Sequence, residues 1–247
     1  MRGNKLYIYG TTFNCEKYLP AVMKSLEHLK PLDYELFIVD NYSKDNTYEI
    51  LKSYPFVHVF QAKCSRGKGR NLAMIYLMEC MEHDYPNMYI DFDNVITPQM
   101  AMLIKKNIKK LKPEDNAIYP FGLTDIVNLE WKDLNAGEDW ERLARAKSKG
   151  IKIITDNDRN KYPDKYGKQI EVANERRYAK GISYWIRKFN YEIDNIRGRG
   201  GSKYSYLKYI RGGLIRRIIF ELAYPIAKLK GIYRYGEKDN ESYARGI

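Results

Sequence analysis

The sequence predicts an α/β fold with a mainly parallel sheet flanked by helices, and two observations support this prediction. First, short apolar runs alternate up to Ile90 with segments whose apolar residues recur at helical spacing, in the order β-α-β-α-β-α-β. Second, Tyr34–Val39 is a near-continuous apolar run, which is typical of a strand buried on both faces of a parallel sheet. In such doubly wound folds, ligands bind beyond the carboxyl ends of the strands.

The individual elements follow from local patterns. Apolar runs bounded by turn residues predict strands at Leu6–Tyr9, Tyr34–Val39, Val57–Phe60 and Met88–Ile90, with shorter ones at Ala117–Tyr119 and Ile151–Ile154. Apolar residues at helical spacing, with capping residues before them, predict helices over Lys17–Leu29, Ser43–Leu51, Gly69–Met81 and Pro98–Leu111, and one that opens at Gly137. We interpret Cys64–Arg70 as a flexible loop before the third of these helices.

The positive charge is concentrated in the C-terminal part of the chain. The 247 residues carry a net charge of +12, yet residues 1–140 have 17 Lys/Arg against 19 Asp/Glu, whereas residues 141–247 have 26 against 12. This asymmetry predicts an anionic partner for the C-terminal part. A hydrophobic content of 44% excludes a disordered chain. The three cysteines form no CxxC pair and the first residues form no apolar signal segment, so we expect a cytoplasmic protein.

Two carboxylates follow the fourth predicted strand. On an extended backbone Asp91 and Asp93 point the same way, and their charges repel unless a cation lies between them. Mg²⁺ and Mn²⁺ take oxygen ligands, typically from one or two carboxylates and the phosphates of a substrate. The pair therefore predicts a divalent metal site, close to Asp40 at the end of the second strand. The alternative is an ordinary capping and turn pair, because Asp is common in loops.

Motifs over residues 5–155 resemble, in order and spacing, those of the inverting glycosyltransferases of family 2. The matching segments are Tyr7–Asn14 (YIYGTTFN), Phe37–Thr47 (FIVDNYSKDNT), Gly69–Ala73 (GRNLA), Asp91–Asp93 (DFD) and Gly137–Asp139 (GED). Each segment alone is a weak signal, and their common order makes the resemblance. The resemblance implies a Rossmann-like GT-A catalytic domain over residues 1–195, followed by a basic amphipathic helical extension over residues 196–247.

The resemblance also implies a metal-dependent hexosyltransferase. It would move a sugar, with inversion, from a nucleoside-diphosphate sugar to a hydroxyl of a glycan or a lipid-linked acceptor. The residues implied to bind the nucleotide sugar are Thr12, Phe13, Asp40, Asn41, Arg70 and Asp91.

The implied chemistry assigns the remaining carboxylates. Asp93 and Asp91 would hold Mn²⁺ or Mg²⁺ at the diphosphate, whose developing charge needs a Lewis acid. Asp139 would be the general base for the attacking hydroxyl, with Glu138 beside it. The family usually has two aspartates where this chain has Asp40 and Asn41. Because an asparagine both donates and accepts hydrogen bonds, this departure bears on which base is bound.

The C-terminal part of the chain has a basic amphipathic pattern. Residues 195–235 contain ten Lys/Arg and one acid, Glu221, and apolar residues between Leu214 and Leu229 recur at helical spacing. Such a helix is typical of proteins that lie in a membrane interface, and it is too short and charged to span a bilayer. We expect residues 196–235 to bind an anionic surface at the inner face of the membrane, with Pro225 kinking or dividing the helix. Alternatively, the helix caps the catalytic core or forms a contact in a homo-oligomer.

Two other classes of function stay open from the sequence alone. The basic tail and 23 tyrosines would suit a non-catalytic protein that binds nucleic acid or a membrane surface, since aromatic residues between basic ones can stack on bases. The slightly acidic N-terminal part shows no nucleic-acid-binding motif, so we expect no nucleic-acid partner. A sugar-nucleotide nucleotidyltransferase would usually have a glycine-rich loop with Arg or Lys after the first strand, which Gly10–Asn14 lacks.

Overall fold

The computed structural model describes residues 5–80, 86–109, 117–118, 129–153, 168–169, 182–199 and 214–233. The chain groups into two compact units. Unit 1 comprises residues 1–64, 69–128 and 152–178, and unit 2 comprises residues 65–68, 129–151 and 179–247.

Unit 1 is built on a four-stranded parallel sheet. Its strands are β1 (Lys5–Thr12), β2 (Asp33–Asp40), β3 (Val57–Gln61) and β4 (Asn87–Asp91). They lie in the order β3-β2-β1-β4, and every neighbouring pair is parallel. The strand order therefore reverses between β1 and β4, and doubly wound sheets open a ligand crevice at such a switch point. The predicted parallel α/β sheet is confirmed.

Seven helices and two short strand pairs complete the described part of the chain. The helices are α1 (Leu19–Ser25), α2 (Thr47–Lys52), α3 (Arg66–Cys80), α4 (Pro98–Ile108), α5 (Glu138–Ser148), α6 (Ile182–Gly198) and α7 (Leu214–Leu229), and a 3₁₀ turn at Leu26–Leu29 follows α1. The strand pairs are β5 (Asn94–Val95) with β8 (Lys168–Gln169), antiparallel, and β6 (Ala117–Ile118) with β7 (Lys152–Ile153), parallel.

Helices cover both faces of the sheet in unit 1. On one face, Leu6, Ile8 and Leu36 belong to a core cluster that also contains residues of α1 and α4. On the other face, Phe37 packs edge-on against Tyr76 of α3, with ring centroids 5.4 Å apart. Because successive side chains of a strand point to opposite faces, β2 needs apolar residues at consecutive positions to fill both layers.

In unit 2, α6 and α7 pack against each other through small and aromatic residues. Ile193 and Ile196 of α6 form a buried cluster with Phe220, Ala223 and Ala227 of α7. The α7 helix is continuous through position 225, so of the two predicted effects of Pro225, a kink or a division, the helix is not divided. Proline removes one backbone donor, and the packing of α7 on α6 compensates for that loss.

Some element boundaries differ from the prediction. The α3 helix begins at Arg66, so the last five of the seven residues in the predicted loop Cys64–Arg70 are already helical. The predicted boundary between residues 195 and 196 falls inside α6, which ends at Gly198. Within the described ranges, no helix has both the length and the apolar character that crossing a membrane would require.

Candidate functional site

The ends of the four parallel strands bring the predicted nucleotide-binding residues to one edge of the sheet in unit 1. Thr12 ends β1 and pairs in register with Asp40, the last residue of β2. Asp40 in turn pairs with Gln61 at the end of β3. On the other side of β1, Thr11 pairs with Asp91, the last residue of β4. Residues from three separate sequence motifs are therefore neighbours beside the switch point.

The carboxylate of Asp40 is fully buried and held by three hydrogen bonds. Its Oδ2 accepts from Ser43 N and from Gln61 Nε2, both at 2.9 Å, and its Oδ1 accepts from Ser43 Oγ. All of these partners act as donors, and both carboxylate oxygens of Asp40 act as acceptors. Asp40 thus fixes the turn after β2, and this local role adds to the predicted contact with a base.

The loops that follow β1 and β2 are hydrogen-bonded to each other. Asn14 N donates to Ser43 Oγ and Lys44 N donates to Asn14 Oδ1, both at 2.8 Å. Asn41 N donates to the carbonyl oxygen of Thr12 at 2.9 Å, and Asn41 Oδ1 accepts from Cys64 N at 3.1 Å. These bonds set the shape of the rim beyond the sheet edge.

Asp45 anchors the second of these loops. Its carboxylate accepts from Thr47 Oγ1 at 2.5 Å, from Thr47 N at 3.1 Å and from Glu16 N at 3.2 Å. Burial acts to raise the pKa of Asp45, but these hydrogen bonds outweigh it and hold the pKa below its ordinary value. The contribution of Asp45 to the free energy of unfolding is therefore fully present above the ordinary carboxyl pKa. It is lost as the pH falls through the lowered pKa of the folded state.

Two aromatic rings are exposed on these loops. Phe13 is 45% exposed and Tyr42 is 55% exposed. Tyr42 has a φ of 50°, a left-handed conformation that is uncommon for a bulky residue and that concentrates at functional sites. Exposed rings next to a polar sheet edge are suited to stacking on a planar ligand.

The hydroxyl of Thr12 is a buried polar group at the same edge. Thr12 is 3% exposed, and no hydrogen-bond partner for its Oγ1 is found in the part of the chain that the structure describes. Buried hydroxyls are nearly always satisfied, so a bound molecule is a physical candidate for the partner. The neighbouring Thr11 differs, because its Oγ1 donates to the carbonyl oxygen of Val39 at 2.9 Å.

Arg70 forms an ion pair with Asp91 across the switch point. Arg70 is 2% exposed, its Nη2 donates to Asp91 Oδ1, and its guanidinium lies 4.7 Å from the ring centroid of Tyr89. Gly69 permits this placement, because a Cβ at position 69 would collide with the Thr11 side chain and approach Cys64 Sγ to 2.9 Å. The pair places a buried cation and a half-exposed carboxylate beside the crevice.

Asp93 lies in a turn, which differs from the extended backbone that was predicted for the carboxylate pair. The β4 strand ends at Asp91, Phe92 is buried, and Asp93 precedes the short strand β5. Asp93 is half-buried and its Oδ1 accepts from Asn94 Nδ2 at 3.1 Å. Asp91 and Asp93 are thus separated by one inward-facing residue.

These two carboxylates fit a divalent ion that is held jointly with a ligand. Both Asp91 and Asp93 retain access to solvent, and their oxygens are the hard donors that Mg²⁺ and Mn²⁺ prefer. Across the described ranges, no group of three or more His, Cys, Asp or Glu is placed to hold a metal. The donor set therefore fits an ion whose coordination is completed by phosphate oxygens and water.

Glu138 and Asp139 begin α5 in unit 2. Gly137 turns the chain into this helix with a φ of 72°, a conformation that favours glycine. Glu138 is 2% exposed and its Oε1 lies 3.8 Å from Arg66 Nη1, whereas Asp139 is half-exposed and accepts from Trp140 N at 2.9 Å. Of the two predicted catalytic carboxylates, Asp139 is thus the accessible one and Glu138 belongs to the interior of unit 2.

Three residues at the edge of unit 1 were missed by the sequence interpretation. Ser43 and Gln61 hold the Asp40 carboxylate, and Tyr42 exposes a ring beside Asn41. Gln61 had a detectable signal, because it is a polar residue at the end of a predicted strand, as Asp40 and Asp91 are. The register that places Gln61 beside Asp40 is a non-local property with no counterpart in the local pattern.

Comparisons with known proteins found one matching family model and several similar solved structures. Residues 8–113 match the model of glycosyl transferase family 2. The structure of residues 1–349 of S. aureus TarS in complex with UDP-GlcNAc is similar, with a TM-score of 0.51 and 13% identity over 89% of this chain and 79% of that chain. The structure of the mannosyltransferase PcManGT from Pyrobaculum calidifontis, in complex with GDP-Man and Mn²⁺, has a TM-score of 0.48 and 13% sequence identity. The match covers 100% of this chain and 80% of the PcManGT chain.

The full TarS chain is longer than this protein. The match has a TM-score of 0.48 and 15% sequence identity. It covers 80% of this chain and 48% of the TarS chain. No curated protein sequence is significantly similar to this chain. The family match covers β1 to α4, the segment that supplies the sheet edge with Thr12, Asp40 and Asp91. Residues 8–113 therefore match glycosyl transferase family 2, and the fold of the chain is similar to that of the TarS structure in complex with UDP-GlcNAc.

Proposed function

We propose that this protein is a metal-dependent, inverting glycosyltransferase that uses a nucleoside-diphosphate sugar as donor. The sugar would be moved to a hydroxyl of a glycan or of a lipid-linked acceptor. The observation that most supports the proposal is the register of strand ends, which places Thr12, Asp40 and Asp91 side by side at the switch point of a parallel sheet. The fold shared with the TarS structure that holds UDP-GlcNAc supports the same class of donor.

The nucleoside half of the donor would bind along the β1–β2 side of this edge. Thr12 Oγ1 would gain a partner from the nucleotide, and Phe13 would border the nucleoside. Asn41 would offer its amide to the base, while Asp40 shapes the loop that presents it. Arg70 would hold Asp91 in place next to the ribose and the diphosphate.

Asp91 and Asp93 would hold a Mg²⁺ or Mn²⁺ ion together with oxygens of the diphosphate. When bound, the ion would supply a Lewis acid for the charge that develops on the leaving nucleoside diphosphate. The ion pair with Arg70 orients the carboxylate of Asp91, which would be one of the two metal ligands.

Asp139 would accept the proton of the attacking hydroxyl. A single displacement with a single general base inverts the anomeric centre. Glu138, the first residue of α5, would act as a positioning residue. Its carboxylate is buried and is paired with Arg66 of α3.

Binding of nucleoside diphosphates in the presence of Mn²⁺, measured by calorimetry, tests the donor site. We expect one nucleoside diphosphate to bind and an oligonucleotide not to bind. In Thr12→Val the affinity should fall by about five- to tenfold, because one hydrogen bond to the ligand is lost. The free energy of unfolding should stay within about 1 kcal/mol of the wild type, since the hydroxyl has no described partner to lose.

Thr11→Val is the matched control for this experiment. It should lower the free energy of unfolding by about 1 kcal/mol, because Thr11 Oγ1 loses its bond to Val39, and it should leave nucleotide affinity near the wild-type value. Equal nucleotide affinity in Thr12→Val and wild type would remove Thr12 from the proposed site. Absence of any nucleoside diphosphate binding would contradict the donor class.

We also propose that the enzyme is a cytoplasmic protein that binds peripherally to the inner face of a membrane. The support is electrostatic, because residues 196–235 are strongly basic and an anionic lipid surface attracts such segments. This association would bring the enzyme to an acceptor carried on a lipid.

A further inference from the structure

The α7 helix has two apolar faces, and only one of them is used in packing. The face that contains Phe220, Ala223 and Ala227 is buried against α6. The other face exposes a set of large aliphatic side chains, which we call the outward stripe. Its members are Leu214 (73% exposed), Ile215 (62%), Ile218 (50%), Leu222 (60%) and Leu229 (88%).

The outward stripe is continuous along the helix. At 3.6 residues per turn, its members fall within about 100° of the helix circumference, on the side opposite the packed residues. Pro225 lies within the same sector and is also exposed. The stripe runs over the whole of α7, from its first residue to its last. Exposed apolar surfaces of this extent mark interaction sites in folded proteins.

The charge around the stripe selects the kind of partner. Arg217, Lys228 and Lys230 are exposed, and Glu221 is the one acid from residue 195 to residue 235. A second copy of this chain would bring a second basic stripe against the first, and like charges at an interface are unfavourable. A nucleic acid would match the charge, but leucine and isoleucine offer no ring for stacking on bases. An anionic lipid surface matches both the charge and the aliphatic side chains.

We propose that the outward stripe of α7 inserts into the headgroup region of an anionic membrane and is the hydrophobic anchor of the enzyme. This inference rests on the proposed peripheral association and adds the element that inserts. The α7 helix would lie in the membrane plane with Phe220 and Ala223 still packed on α6. Its 16 residues are too short to span a bilayer, so an in-plane orientation is the physically accessible one.

Flotation of the full-length protein with two kinds of vesicles tests the proposal. One kind contains phosphatidylcholine alone, and the other contains phosphatidylcholine mixed with phosphatidylglycerol. We expect the wild type to float with the anionic vesicles. The double variant Ile218→Gln/Leu222→Gln should lose at least about tenfold in affinity for these vesicles, because two aliphatic side chains no longer enter the apolar layer.

Two matched variants distinguish insertion of the stripe from two other causes of vesicle binding. One cause is the positive charge of α7, and the other is exposed apolar surface elsewhere on the protein. Ile75→Gln/Met102→Gln removes exposed apolar residues from α3 and α4, and it should bind like the wild type. Arg217→Gln/Lys228→Gln keeps the stripe, and it should lose about fivefold in binding per charge at low salt. Glutamine is a good helix former, so the substitutions leave the helix propensity of α7 nearly unchanged.

The outcomes distinguish this inference from the proposal on which it rests. If Ile218→Gln/Leu222→Gln floats like the wild type while the charge variant does not, association is purely electrostatic and the stripe inference is wrong. If the wild type does not float with anionic vesicles, both are wrong. The inference would also be overturned if Ile218→Gln/Leu222→Gln has a markedly lower thermal stability than the wild type in the absence of vesicles. The same holds if the wild type is a dimer and this variant is a monomer, because either result would assign the stripe to protein packing.

Discussion

Replacing Asp139 with asparagine is expected to abolish sugar transfer while donor binding is retained. The amide cannot accept the proton of the attacking hydroxyl, and loss of a general base typically lowers the rate by about 10²–10⁴-fold. Asp139 is half-exposed at the start of α5, so the isosteric change should not disturb the packing of unit 2. Turnover with the identified donor measures the rate, and calorimetry measures the affinity for the nucleoside diphosphate.

Glu130→Gln is the control for the Asp139 variant. Glu130 is an exposed acid of unit 2 that pairs with Lys132, and an exposed ion pair contributes little to stability. This variant should transfer at the wild-type rate. A wild-type rate in Asp139→Asn would instead show that another group accepts the proton, and the base assignment would have to be abandoned.

The second large effect is expected at Asp93. In Asp93→Ala, the affinity for a nucleoside diphosphate in the presence of Mn²⁺ should fall by about tenfold or more, as expected when a metal site loses an important residue. The affinity without Mn²⁺ should change little, so the variant and the metal-free wild type should bind the nucleotide equally weakly. Calorimetric titration of both proteins, with and without Mn²⁺, measures this difference.

A carboxylate at the opposite end of the sheet provides the control. Asp33 begins β2 and is exposed, so Asp33→Ala should bind the nucleotide with the wild-type metal dependence. If Asp93→Ala keeps full affinity in both conditions, Asp93 does not hold the metal.

The central sheet and the polar edge formed by its strand ends were largely predictable because they depend on local patterns. The four strands are mostly apolar and end in Thr, Asp or Gln, and parallel strands bring such ends to one edge. The prediction could not include the hydrogen bonds of Asp40 to Ser43 and Gln61, since these depend on strand register and turn geometry. The chemical groups at the sheet edge could therefore be predicted from residue type, whereas the contacts that support them are visible only in the structure.

The start of α3 shows why a local pattern can mislead. Ser65–Gly69 contains two glycines, and this composition is typical of a loop. In the structure these glycines are helical and serve close packing, because a Cβ on Gly67 would collide with the carbonyl oxygen of Lys132 and one on Gly69 with the side chain of Thr11. Both neighbours are distant in sequence, so no local signal distinguishes a packing glycine from a turn glycine.

The α7 helix illustrates the same limit in the opposite direction. Its amphipathic pattern was recognised, but most residues of that pattern are exposed, and the helix packs on α6 through Phe220, Ala223 and Ala227. A helix with two apolar sides satisfies more than one pattern, and only tertiary contacts show which side is buried. Pro225 is tolerated in α7 for the same reason, because packing outweighs propensity.

The most direct test is the position of Mn²⁺ in crystals of the full chain grown with the nucleoside diphosphate that binds most tightly. Anomalous scattering locates the ion without assumptions about the ligand. We expect a single strong peak in contact with the carboxylate of Asp93 and with diphosphate oxygens, beside Asp91 and Arg70. A peak elsewhere on the protein, or a diphosphate bound away from the ends of β1, β2 and β4, would contradict the account.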